Sequence, residues 1–221
     1  MKRSAIIILA LSVTHLVHAD SELHIALKGG PNAATLDHDS QENRYDFSGG
    51  VAGFLQAPLF GRLLLGGQLE FLYTPRGANV VFGGAKQAES REYYFDLVAA
   101  ARPGVQLGPL NGYLLLGGGV NFLVSANKEN VSGSKQDITG DLHRIDVALL
   151  GGLGVAFHLP HRDLGPFRLG TIFLEARHDI GLIDTDKANG GYKNRTSSLM
   201  LGLSFVVGAL PSPGPTAGQA K

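Results

Sequence analysis

The sequence predicts an all-β fold: an eight-stranded antiparallel up-and-down barrel that spans an outer membrane. Three observations predict it. A secretion signal opens the chain, about eight segments alternate apolar and polar residues, and long and short connections alternate between them. Successive side chains of a strand point to opposite faces, so alternation builds one greasy and one polar surface.

The signal is residues 1–19. Two cations, Lys2 and Arg3, precede an apolar run from Ala5 to Val13, and Val17-His18-Ala19 has the small residues of a cleavage site. The run falls short of the ~20 apolar residues of a spanning helix. Residues 20–207 are read as the barrel and the Pro/Gly-rich residues 208–221 as a disordered tail. Without Lys2 and Arg3 the basic count falls from 19 to 17 against 19 acidic residues, a net charge of −2. That gives no basic footprint, so nucleic acid is not an expected partner. The chain has no cysteine, which excludes disulfides, thiolate metal sites and Cys nucleophiles.

The first segment, 23–30, puts Leu23, Ile25 and Leu27 on one face and His24, Ala26 and Lys28 on the other. The second, 45–57, turns Phe47, Val51 and Leu55 outward and Asp46, Ser48 and Gln56 inward, and Pro58 to Gly61 is a tight turn. The third, Arg62 to Tyr73, is the clearest. Leu63, Leu65, Leu69, Phe71 and Tyr73 share the apolar face, with Gln68 and Glu70 opposite. The fourth, 93–107, has Phe95, Leu97, Ala99 and Val105 outward and Asp96, Arg102 and Gln106 inward. The fifth, 112–125, follows the turn at Gly108-Pro109 and turns Leu114, Leu116 and Phe122 outward. The sixth, 143–158, places Arg144, Asp146 and His158 inward; the seventh, 168–179, places Glu175, Arg177 and Asp179 there. The eighth, 195–207, carries Leu199, Leu201, Leu203 and Phe205 on its apolar face.

The long connections, near 32–44, 77–92, 126–142 and 181–194, are the expected external loops, and the short ones the periplasmic turns. A soluble lipocalin-like barrel has the reverse polarity, with an apolar interior. The membrane reading is favoured by aromatics near strand ends (Tyr73, Phe95, Phe157, Phe205) and by charges of both signs on the other faces. Glu70, Arg102, Asp146, Glu175 and Arg177 are therefore expected as structural charges paired in a narrow lumen, which in eight strands has room only for side chains.

The residues also resemble a family, the porin-family or PorT-like outer-membrane barrels. The resemblance is carried by Leu27-Lys28-Gly29-Gly30-Pro31-Asn32, by Glu70-Phe71-Leu72-Tyr73 running to Gly77-Ala78, and by Leu174-Glu175-Ala176-Arg177 with Leu201 to Phe205. Thr74-Pro75-Arg76 stands where such barrels have Ser-Gln-Lys, and Phe205 is not terminal. The resemblance implies a barrel more than a task.

No catalytic, cofactor or metal site is expected. Asp37-His38-Asp39 and Asp184-Thr185-Asp186 are too sparse for a metal. Gly117-Gly118-Gly119 and Gly151-Gly152-Leu153-Gly154 lack the nucleotide-loop spacing and precede no helix. His178 and His143 have no serine at a recognisable spacing. The expected role is structural or surface-interacting, with outer-membrane lipid around the barrel and a protein partner at the external loops. The alternatives are an accessory of a secretion or transport system, a soluble periplasmic binder and a membrane-embedded hydrolase.

Overall fold

The computed structural model describes residues 22–36, 41–159, 163–164, 167–187 and 192–209. The expected signal peptide, Asp37 to Asp39 and all of the tail beyond Ala209 lie outside them. The strands are β1 Glu22–Leu36, β2 Gln41–Phe60, β3 Leu63–Arg76, β4 Ala78–Phe82, β5 Ala85–Ala101 and β6 Gly104–Leu107. They continue as β7 Leu110–Asn130, β8 Lys135–Asp137, β9 Ile145–His158, β10 Asp163–Leu164, β11 Phe167–Gly181 and β12 Asn194–Ala209.

Eight of these close a ring. β1 pairs β2, then β3, β5, β7, β9, β11 and β12 follow, and β12 pairs β1, every pairing antiparallel. The register has a measurable stagger. Starting at Ile25, the hydrogen-bonded partners run through Gly53, Leu69, Ala99, Gly118, Leu149, Ile180 and Arg195 to Thr35, ten residues from the start on the same strand. A stagger of that size over eight strands tilts them by roughly 40° from the barrel axis. Closure leaves no unpaired edge in the ring, which is what a hydrocarbon surrounding demands of backbone amides.

The sheet is turned with its greasy face out. Leu27, Leu69 and Leu201 are 60%, 63% and 60% exposed, while Glu70 and Arg102 are 2% and 1% exposed. Leu65 is half-buried and Phe71 exposed. This is the inverse of a soluble barrel and rules out the periplasmic-binder alternative. A girdle of outward aromatics marks the external boundary: Phe71 stacks on Phe95 at 5.2 Å and Tyr73 on Tyr93 at 6.0 Å. Leu69, near the middle of the outward face of β3 between Leu63 and Tyr73, is a test of depth. Leu69→Arg is expected to destabilise the bilayer-embedded barrel by about 2–4 kcal/mol, the midplane range, with a much smaller effect in detergent. Unfolding titrations in both environments measure it.

The long connections are shorter than the sequence suggests, because the strands run through them. β1 continues to Leu36, β2 begins at Gln41, and 77–92 is mostly the β4–β5 hairpin, closed by Gly83-Gly84 with φ of 60° and 76°. Polar residues there read as loop, but above the membrane a strand needs no apolar face. β4 pairs β2 and β5, and β7 pairs β5 and β8, so the external hairpins form a sheet that continues the barrel wall. β7 has 21 residues, about 70 Å along the strand and, at that tilt, about 50 Å along the barrel axis, against an apolar band of about 25 Å.

Candidate functional site

Inward positions recur every second residue, so strands at different heights place their polar side chains in stacked layers inside the ring. The central layer is an ionic network. The Lys28 ammonium donates to Glu70 Oε1 at 2.7 Å and to Glu175 Oε2 at 2.6 Å, with all three side chains fully enclosed. Arg177 reaches Glu70 Oε2 at 2.5 Å and Asp179 Oδ1 at 2.9 Å. Gln68 donates to Glu70 at 2.5 Å, and the Tyr113 hydroxyl donates to Glu175 Oε1 at 2.9 Å. Charges taken out of water are tolerated only when paired and hydrogen-bonded, and here every carboxylate meets a cation.

The layer above is built on Arg76, which donates to Asp96 at 2.8 Å, lies 3.7 Å from Asp146 and sits over the Tyr94 ring at 4.9 Å. Tyr94 donates to Glu92 at 2.9 Å. Above this, Tyr94, Leu123, Ala126 and Leu142, with Ile138 against them, form a small apolar cluster over the external mouth. The layer below is aromatic. Phe54 and Phe173 meet edge to face at 6.3 Å, and Arg102 lies 4.1 Å over Phe54 and 3.7 Å over Tyr113. Side chains from every layer project into the interior, as expected for eight strands.

Of the five charges singled out from sequence, Glu70, Glu175 and Arg177 meet in the central layer, Asp146 belongs to the Arg76 layer and Arg102 stands apart below. Lys28, Arg76 and Asp179 complete these groups and were not singled out, although each continues the inward parity of its strand. Arg76 lies beyond the third predicted segment, which ends at Tyr73, yet is 2% exposed. Two inward assignments are corrected, since Arg144 and Gln106 are exposed, and three others, Asp46, Gln56 and His158, are only half-buried; towards the rim parity no longer implies enclosure.

Two serine–histidine contacts bear on hydrolysis. His178 Nδ1 lies 2.9 Å from Ser197 Oγ on the exposed outer face. The neighbouring carboxylate, Asp179, faces the other way and is held by Arg177. His24 lies 3.2 Å from Ser204 Oγ and 3.4 Å from Glu22, but Ser204 is 0% exposed and its hydroxyl already accepts from the Thr171 amide at 2.9 Å. Neither pair presents an oriented base beside an accessible nucleophile. Asp184 and Asp186 join no metal-holding cluster among the described residues.

Outside the membrane, Glu89 braces the β4–β5 hairpin. It accepts from Arg44 at 2.9 Å, Arg91 at 2.6 Å and Lys86 at 2.6 Å. Burial pushes its carboxyl up, but the hydrogen bonds from Lys86, Arg91 and Arg44 outweigh this and hold it down at about 2. A depressed folded value means that the brace is complete above the ordinary 4.5 and fades as pH falls towards 2. Amide exchange of residues 85–91, corrected for intrinsic rate, is expected to lose protection between pH 4.5 and 2. Glu89→Gln is expected to show that loss already at neutral pH.

Residues 16–187 match the family model described as outer membrane protein beta-barrel domain. No curated protein sequence matches the chain at a significant level. Among solved structures it is similar to the attachment invasion locus protein Ail of Yersinia pestis, at 16% identity over 83% of this chain and 99% of that one, with a TM-score of 0.40. It is similar to neisserial surface protein A at 13% identity, 84% and 97% coverage and a TM-score of 0.45. For OprG of Pseudomonas aeruginosa the values are 13%, 85%, 96% and 0.38.

Proposed function

The chain belongs to the outer membrane protein beta-barrel domain family, and from that premise we propose that it is a non-catalytic surface scaffold whose external hairpins bind a protein partner. The supporting observation is where the exposed apolar side chains lie beyond the lipid belt. Phe82, at the tip of the β4–β5 hairpin, is 79% exposed, and Val131, at the end of β7, is 72% exposed. The two tips are tied together, since the Val131 amide donates to Gln87 O at 3.2 Å. A rigid wall that lifts apolar groups into water suits recognition by contact.

A photo-crosslinking residue at position 82 or 131 in living cells is expected to capture a protein partner, while one at the lipid-facing position 69 captures none. Equal yields from all three positions overturn the reading. An accessory role in secretion or transport stands second. It rests on the PorT-like resemblance, whose charged motif residues Lys28, Glu70, Glu175 and Arg177 converge in the central layer. What those motifs carry is how such a barrel is filled.

A further inference from the structure

We infer that the periplasmic half of the lumen holds a site for a small inorganic anion of chloride size, formed by Arg102 and Gln56. Arg102 is 1% exposed, and its guanidinium carbon lies 4.1 Å from the Phe54 ring centre and 3.7 Å from that of Tyr113. Ring faces attract a cation but do not neutralise it, so the charge is still unbalanced in a low-dielectric setting. The other central cations each have carboxylates: Lys28 has Glu70 and Glu175, Arg76 has Asp96, and Arg177 has Glu70 and Asp179. Among the described residues Arg102 has no carboxylate in ion-pair contact, and its Nε and Nη1 are buried without an acceptor.

A second donor sits across one strand. Gln56 Oε1 accepts from Asn111 Nδ2 at 2.9 Å, which leaves Gln56 Nε2 buried and unpartnered. Gln56 is in register with Gly66, and the Arg102 amide donates to Gly66 O at 2.8 Å. The two donors thus flank a residue with no side chain. Asn111 Oδ1 is also buried and unpartnered, an acceptor on the same amide that donates to Gln56. A single compact anion balances the Arg102 charge and takes hydrogen bonds from both donor groups, which neither ring provides.

The test is thermal unfolding of the full barrel in detergent at constant ionic strength, with chloride or bromide exchanged for bulky gluconate. An anion that binds only the folded state raises the midpoint progressively with its concentration. The wild type is expected to show that rise in chloride and bromide, and Arg102→Met to show none. Equal dependence in both proteins overturns the site. Because Arg102→Met also loses its ring contacts, Gln56→Leu, which keeps the cation, is expected to need several-fold more chloride for the same rise. Anomalous scattering from bromide-soaked wild-type crystals gives a readout independent of stability. A peak beside Arg102 supports the site, and bromide found only elsewhere overturns it.

Discussion

Replacing Lys28 with methionine is expected to lower the stability of the barrel by about 3–5 kcal/mol, the range for breaking a buried ion pair by removing one partner. Among the described residues Lys28 is the only cation that touches both Glu70 and Glu175, at 2.7 and 2.6 Å. Arg177 compensates Glu70 alone, and Glu175 is left with hydrogen bonds from Tyr113 and, at 3.4 Å, Gln68. Methionine matches the length of the lysine stem, so the loss is electrostatic rather than a cavity. That makes the cause testable. Adding Glu175→Gln to Lys28→Met removes the orphaned charge and is expected to restore a good part of the loss, although Glu175→Gln alone destabilises. Strictly additive losses in that cycle, read from the heat-modifiable gel shift or from calorimetry in detergent, exclude the network as drawn. Glu70→Ala is expected to cost a similar amount, since it leaves Arg177 with Asp179 only and Lys28 with Glu175 only.

The fold was legible because a barrel wall in lipid has one rule per residue. Gly67 to Tyr73 alternates cleanly, and the even-numbered residues from Gln68 to Arg76 are all enclosed. The same rule misplaced the loops. Between Ala78 and Glu92 no lipid selects an apolar face, so the alternation that identifies a strand disappears while the hydrogen-bonded ladder continues. Parity also placed charges on the inner face without saying which meet. Glu70 and Glu175 are 105 positions apart in sequence, and the height at which each enters the lumen depends on the ten-residue stagger of the closed ring. Local pattern does not encode that stagger. Arg102 shows the limit most plainly: its inward position was readable, but its ring partners Phe54 and Tyr113 come from β2 and β7, which flank the β3–β5 pair.

Gly154→Ala is expected to destabilise the barrel by about 1–3 kcal/mol, more than a surface glycine change, because the added methyl group overpacks a core position. A Cβ there would stand 2.4 Å from Tyr113 Cζ and 2.6 Å from its hydroxyl. Tyr113 has little freedom to retreat. Its hydroxyl is held by Glu175 at 2.9 Å, and its ring carries Arg102 at 3.7 Å. Moving the ring therefore disturbs the central ionic layer and the isolated cation below it together. Gly67, where a Cβ meets nothing within 4 Å, is the control and is expected to tolerate alanine. The decisive comparison places Gly154→Ala in a Tyr113→Leu background, where the smaller side chain leaves room for the methyl group. The alanine is then expected to cost at least 1 kcal/mol less than in the wild type, a coupling within the range for contacting residues. An unchanged cost means that the glycine is required by its backbone instead, and that Tyr113 does not fasten the aromatic layer to the ionic one.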